Sequence, residues 1–251
     1  MCCCFYVNEQ KKLPINIDLD VILLLHRGQC SHDITYRTRP MKTFGHFNQK
    51  GGVGKTTLSV HLAAWLTREF PTARTMLLDV DPQGNAQQWA NERKTEPLFS
   101  VFGKASDTIH KQFAKISAGY DFVVIDAPAN VSRINGSAIL CCDTVLVPVQ
   151  PSGLDLWASE AILAVIEGLQ GDSARKSCFL MNRKIENTVI GNAVYDVLRD
   201  MPIPALKNTI TQRIVWGEAM TEGKTVFEVA PKGPAVREID AVFTELMEFS
   251  Q

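Results

Sequence analysis

A glycine-rich segment decides which folds are open to this chain. Residues 49–57 read QKGGVGKTT and lie between a largely apolar run, Thr43 to Asn48, and a stretch with helical apolar spacing, Thr56 to Phe70. Glycines let the backbone curl so that successive N–H groups converge, and the N-terminus of the following helix adds partial positive charge. The strand, loop and helix together predict a cradle for phosphate oxygens.

The side chains of this loop indicate a nucleoside triphosphate and Mg²⁺ as ligands. Lys55 would reach the β- and γ-phosphates, and the Thr56 hydroxyl would bind magnesium. The ordinary pattern has a glycine five residues before Gly54, but this position is Gln49, and an additional lysine, Lys50, comes directly after it. The residues expected to bind the nucleotide are Gly51, Gly52, Val53, Gly54, Lys55, Thr56 and Thr57.

The rest of the chain alternates short apolar runs with helical stretches. The strands are predicted at Thr43 to Asn48, Thr75 to Asp79, Phe122 to Asp126, Thr144 to Val149 and Cys178 to Asn182, and further helices at Asp155 to Leu169, Ile190 to Arg199 and Ala235 to Phe249. With 251 residues, 45% of them hydrophobic, the chain can bury one substantial core. We expect an α/β fold with a doubly wound, mostly parallel sheet.

Residues 1–40 differ from the rest of the chain, because they show no sustained period of 2 or 3.6. We therefore predict one ATPase domain over residues 41–251, preceded by an extension over residues 1–40. The extension is either a native, poorly ordered tail or not native to the protein.

Carboxylates lie at or just beyond the ends of two of the predicted strands. Asp79 and Asp81 lie in the segment LLDVDPQ, where ligands of open α/β sheets bind. Asp126 ends the strand FVVID, an arrangement that holds magnesium, usually through water. Asn182 ends another strand, where its amide could read the adenine edge or serve as an ordinary turn residue.

The segment KGGVGKTT resembles the deviant Walker A motif of the ParA and MinD superfamily of P-loop NTPases. Residues 147–152, 182–184, 211–213 and 226–228 resemble the small, ParF-like branch of plasmid partition ATPases. The resemblance implies that Lys50 reaches the partner's phosphates in a nucleotide-sandwich dimer. It also implies that Asp79 supports the phosphate loop and Lys55, and that Asp81 orients the attacking water.

The function implied by the resemblance is ATP-dependent partition of DNA. ATP would close a homodimer that binds DNA without sequence preference, and a small centromere-binding adaptor protein would stimulate hydrolysis. Lys plus Arg total 26 against 27 for Asp plus Glu, so DNA contact needs a local basic surface. Two alternatives stay open: an ATPase that positions a protein complex or secretion machine, and a nucleotide-dependent polymerising scaffold. The residues considered for DNA contact are Lys184, Lys207, Arg213 and Lys224.

No membrane attachment is expected. The predicted C-terminal helix carries four acids against Arg237 alone, which disfavours contact with anionic lipid. Cys141 and Cys142 lie in an apolar stretch, which argues against an iron–sulfur role. The protein is expected to be cytoplasmic and associated with the nucleoid.

Overall fold

The computed structural model describes residues 41–129, 132–169, 175–186 and 188–251. These ranges cover the predicted ATPase domain apart from residues 130–131, 170–174 and 187. The predicted N-terminal extension, residues 1–40, lies outside the described residues.

A six-stranded, all-parallel sheet forms the centre of the molecule, with the strand order β3-β2-β4-β1-β5-β6. The prediction of a doubly wound α/β fold is confirmed. The sequence analysis missed the edge strand β3, and it began β6 two residues late. The strands are β1 (Lys42–His46), β2 (Thr75–Asp79), β3 (Ser100–Gly103), β4 (Phe122–Asp126), β5 (Thr144–Val149) and β6 (Lys176–Met181).

Nine helices surround the sheet in the described residues. Four of them match the predicted helices within two residues at each end, and the others are short. They are α1 (Lys55–Glu69), α2 (Asn85–Glu92), α3 (Ile109–Ile116), α4 (Arg133–Ile139), α5 (Gly153–Gly168), α6 (Val189–Arg199), α7 (Ile214–Thr221), α8 (Val226–Val229) and α9 (Pro234–Phe249).

Two apolar layers hold these helices on opposite faces of the sheet. Helices α1, α2, α7, α8 and α9 pack on one face, and α3, α4, α5 and α6 pack on the other. Within one strand the side chains alternate between the layers: Leu77 enters the first, whereas Met76 and Leu78 enter the second. Burial on both faces explains why the central strands read as continuous apolar runs.

The register of the central strands brings their carboxyl ends level. His46 at the end of β1 is opposite Asp126 at the end of β4, and Asp79 at the end of β2 is opposite Asp126 from the other side. The loop that leaves β1 therefore begins beside Asp126 of β4, and Asp79 of β2 lies one strand further away. No helix in the described part of the chain is long and apolar enough to cross a membrane.

Candidate nucleotide-binding site

The loop between β1 and α1 curls back over the carboxyl end of the sheet. Gly52 and Gly54 have φ values of 75° and 96°, in the left-handed region that favours glycine. A Cβ on Gly54 would also lie 2.4 Å from Asn182 Nδ2, a distance that real Cβ atoms do not show. Glycine at this position is therefore required both by the backbone conformation and by the close approach of Asn182, which comes directly after β6.

Asn182 fastens this loop to the end of β6. Its Nδ2 donates to the Val53 carbonyl at 2.7 Å, and its Oδ1 accepts from the Arg183 backbone N–H at 2.9 Å. Both ends of the amide are thus engaged by backbone groups, and the residue is buried. These contacts give Asn182 a supporting role at the loop, and its readout of an adenine edge stays a prediction.

A cavity of about 710 Å³ opens above the loop. It brings Asp81 together with residues of the phosphate loop. The loop residues that line it are Gly52, Gly54, Lys55, Thr56 and Thr57. Sequence reasoning gave no role to Arg183, which also lines the cavity. Arg183 has a φ of 55°, which is uncommon for a residue with a side chain and clusters at functional sites.

Lys55 lies at the floor of the site with little exposure to water. Its Nζ donates to the Lys50 carbonyl at 3.1 Å. Burial lowers the pKa of Lys55, while the negative charges of Asp126 and Asp81 act in the opposite direction. An anion such as a phosphate would compensate the buried ammonium more fully than one carbonyl does.

Asp126 fits the magnesium role that the sequence suggested. It is fully buried, and its Oδ1 accepts a hydrogen bond from Ser59 Oγ at 3.2 Å. Its Oδ2 is buried and has no partner among the described residues. Burial raises the pKa of Asp126 to about 7, and the nearby Thr56 hydroxyl favours the charged form.

The oxygen without a partner and the Thr56 hydroxyl are hard ligands of the kind Mg²⁺ prefers, directly or through its waters. These residues therefore fit a bound magnesium ion. When bound, Mg²⁺ would neutralise charge on the phosphates.

The two carboxylates at the end of β2 and just beyond it are held differently. Asp79 is buried, and its oxygens accept from the backbone N–H groups of Asp81, Ala86 and Gln87 at 3.1, 3.0 and 3.2 Å. Burial raises the pKa of Asp79, and these hydrogen bonds oppose that shift. Asp79 therefore fixes the start of α2 and the backbone of Asp81, and these bonds do not include Lys55. Asp81 is half-buried and lines the cavity, with Oδ1 accepting from Gln83 N–H at 2.9 Å.

Lys50 is bound to an acid that sequence reasoning missed. Its Nζ donates to Asp155 Oδ2 at 2.5 Å, and Asp155 is fully buried. Ser152 caps α5 and its hydroxyl donates to the same oxygen at 2.8 Å. The Ser-x-x-Asp pattern could have indicated a helix start, but it carries no signal for a contact with a lysine 105 residues away.

Two of the four basic residues considered for DNA contact, Arg213 and Lys224, form ion pairs within the chain. Arg213 forms ion pairs with Glu238 and Glu186, and Lys224 pairs with Glu222. The Lys207 backbone N–H donates to Glu245 at 2.7 Å, which places an acid beside this lysine. Part of the positive charge is therefore compensated within the chain.

Fold and site together define a P-loop nucleotide-binding protein. The sequence profile of the CobQ/CobB/MinD/ParA nucleotide binding domain matches residues 46–226. The chain belongs to this family.

Two relatives are similar to this chain in sequence, and a solved structure is similar to it in fold. Maintenance of carboxysome distribution protein A of Halothiobacillus neapolitanus is 32% identical over 205 residues, covering 80% of this chain and 94% of that protein. The chromosome-partitioning ATPase Soj of Thermus thermophilus is 27% identical, covering 80% of this chain and 93% of Soj. A putative plasmid partition protein of Borrelia burgdorferi, solved with AMPPNP, shares the fold with a TM-score of 0.69 at 15% identity, covering 83% and 99% of the two chains.

Proposed function

We propose that this protein is a partition ATPase. ATP with Mg²⁺ closes two copies into a nucleotide-sandwich dimer, the dimer binds DNA without sequence preference, and a small centromere-binding partner stimulates hydrolysis and release. The chain's membership of the CobQ/CobB/MinD/ParA family supports nucleotide binding. The placement of the site residues supports dimer closure and hydrolysis.

The observation that carries the proposal is the different placement of the two loop lysines. Lys55 lines the cavity, whereas the Lys50 ammonium extends to Asp155 at the start of α5, with 37% of its side chain exposed. Lys50 is thus positioned near the surface beside the site. A lysine so placed can serve the phosphates of a second subunit once it leaves Asp155.

The proposal assigns a residue to each step of the hydrolysis. Lys55 and the loop N–H groups would hold the phosphates, and Thr56 and Asp126 would hold the magnesium. Asp81 lies at the cavity wall, where its carboxylate orients the water for attack. Lys50 from the partner adds positive charge where negative charge develops.

Binding of the whole chain to random duplex DNA tests the DNA step. Anisotropy of labelled DNA should rise with protein in ATP and Mg²⁺, and much less in ADP. The affinity should fall steeply with salt, since contacts to phosphates release counterions. DNA binding that is equal in ATP and ADP, or absent in both, would contradict the proposal.

A second candidate is an ATPase that positions a protein complex. The observation in its favour is the 32% identity to a carboxysome distribution protein, against 27% to Soj. Deleting the gene in its host separates the two. Loss of the replicon that carries the gene over generations supports partition. Stable inheritance together with a misplaced protein assembly supports the second candidate.

A further inference from the structure

A buried histidine beside the magnesium residues has no role in the proposed mechanism. His46 ends β1 directly opposite Asp126, and its side chain is fully buried. His46 Nδ1 lies 2.9 Å from Ser59 Oγ, and Ser59 Oγ lies 3.2 Å from Asp126 Oδ1. Ser59 is also fully buried, so these three side chains form a hydrogen-bonded chain that is closed to bulk water.

The number of available protons determines which group donates in each of these hydrogen bonds. Ser59 has one hydroxyl proton and two possible acceptors, His46 Nδ1 and Asp126 Oδ1. If the proton of the imidazole is on Nδ1, it donates to Ser59, and Ser59 donates to the carboxylate, so both hydrogen bonds form. If it is on Nε2, a buried N–H is left without an acceptor, because Nε2 has no partner among the described residues. An orphaned N–H donor is the costlier outcome.

The charge state of the imidazole agrees with this arrangement. Burial, with a smaller contribution from Lys55, lowers the pKa of His46 to about 3. A neutral imidazole offers one N–H, as the arrangement of hydrogen bonds requires.

We propose that His46 is a positioning residue of the magnesium site, which acts on Asp126 through Ser59. The Nδ1–H of His46 directs the Ser59 hydroxyl proton onto Asp126 Oδ1. This holds the plane of the carboxylate and leaves Oδ2, the oxygen without a partner among the described residues, to face the hydrated ion. The inference rests on the proposed function, because it assigns a residue to the same magnesium site.

The test compares magnesium dependence in matched variants of the full chain. His46→Leu removes the donor at similar volume, and Ser59→Ala removes the intermediary. His46→Asn keeps a donor, since its amide Nδ2 can occupy the place of the imidazole Nδ1. Ser177→Ala is the control, because it deletes another buried serine hydroxyl, one with no partner among the described residues. The readout is the affinity for a fluorescent ATP analogue in EDTA and across a Mg²⁺ titration.

We expect all variants to bind the analogue in EDTA as the wild type does. The Mg²⁺ concentration for half-maximal gain in affinity should rise roughly tenfold in His46→Leu and Ser59→Ala. It should stay near the wild-type value in His46→Asn and Ser177→Ala. The double variant His46→Leu/Ser59→Ala should match Ser59→Ala alone, because His46 acts through Ser59.

Three results would overturn the inference. One is a normal magnesium requirement in Ser59→Ala, which decides the matter even where His46→Leu fails to fold. Another is a His46→Asn variant as impaired as His46→Leu. The third is an additive double variant. A wild type whose affinity does not respond to Mg²⁺ would instead refute the proposed ATPase function itself.

Discussion

Single side chains at this site hold charge where water is largely excluded. Lys55 is almost fully buried, and Asp126 and Asp155 are fully buried. Removing one member of such a pair leaves the other charge without compensation, which is commonly destabilising by about 3–5 kcal/mol. The ion pair between Lys50 and Asp155 is therefore best tested by changing both members.

The role of Lys50 is best tested in a double variant. Lys50→Ala alone leaves the buried Asp155 carboxylate without its ion-pair partner, whereas Lys50→Ala/Asp155→Asn also removes the negative charge. We expect the double variant to bind ATP but to stay monomeric by light scattering, because the partner's phosphates lose their lysine. Asp155→Asn alone should dimerise at lower ATP concentration than the wild type, since Lys50 is no longer held. Lys55→Ala should abolish binding. A stable ATP-dependent dimer of the double variant would refute the cross-subunit role.

Asp81 is expected to serve turnover and not binding. Asp81→Ala should bind ATP normally and hydrolyse it about 10²-fold more slowly, because the attacking water loses its orientation. This rate loss corresponds to an activation free energy that is about 3 kcal/mol higher. Asp79→Ala is the contrasting variant: it removes the carboxylate that holds α2, so both affinity and stability should fall. Single-turnover hydrolysis beside nucleotide affinity measures both. Near-normal hydrolysis by Asp81→Ala would overturn the assignment.

At the scale of helices and strands, α1 is joined to the C-terminal helices by His61. Its Nδ1 donates to the Thr57 carbonyl at 2.7 Å, and its Nε2 accepts from the Val226 backbone N–H at 3.0 Å. Trp216 packs edge-on against the His61 ring, with 5.1 Å between the two ring centroids. The bond from Val226 needs a neutral ring, because a protonated Nε2 cannot accept a hydrogen bond. The packing of α8 on α1 therefore depends on the protonation of His61.

This contact predicts a pH dependence of stability. Burial lowers the pKa of His61 from 6.5 to about 4. The stabilisation is thus fully present above pH 6.5 and is lost as the pH falls toward 4. Relative to the wild type, His61→Leu should be destabilised at pH 8, and the gap should shrink by about 2 kcal/mol at pH 5. Urea unfolding at both pH values measures it. The gap for Leu62→Ala, a core deletion that does not titrate, should stay constant; equal behaviour of the two variants would contradict the prediction.

The junction of β6 with the phosphate loop makes a further prediction. Asn182→Ala removes the bond to the Val53 carbonyl, so the loop should loosen and bind every nucleotide more weakly. We expect about a tenfold loss for ATP and for GTP alike, the cost of one buried hydrogen bond. Competition binding with both nucleotides checks it. A selective loss of ATP binding would instead show that Asn182 reads adenine.

The sequence predicted the elements whose pattern is unambiguous. Strands β1, β2, β4, β5 and β6 are buried on both faces and read as apolar runs, and the acids of the site lie at or just beyond their ends. The edge strand β3 alternates exposed and half-buried residues over four positions, and α2 buries only Ala86 and Trp89. Such short elements take their structure from tertiary packing, which local patterns do not contain.

The same limit applies to contacts across the fold. Asp155 meets Lys50, and His46 meets Asp126 through Ser59, only because distant strands end at one edge of the sheet. The spacing of these residues along the sequence does not predict that they are in contact. The motif residues could be predicted, but the groups that hold them in place could not.

At the scale of the whole molecule, the six strands of the sheet in the described residues lie between residues 42 and 181. The central strand β1 begins at Lys42 and pairs with β4 and β5. Phe44 in this strand belongs to one apolar layer, and Phe47, just after the strand, belongs to the other. The last helix, α9, closes one face and ends at Phe249. In the described part of the chain, the six strands and both apolar layers are thus built from residues after 40.

We accordingly propose that residues 1–40 are dispensable for folding and hydrolysis. A chain that starts at Met41 should unfold in urea within about 1 kcal/mol of the full chain, which is the scale of changes outside a core. Its rate of ATP hydrolysis should be unchanged. A chain that starts at Phe47 is the matched control, since it lacks β1 and with it the middle of the sheet, and it should be insoluble. Loss of soluble protein or a large fall in stability for the Met41 start would show that the first forty residues belong to the fold.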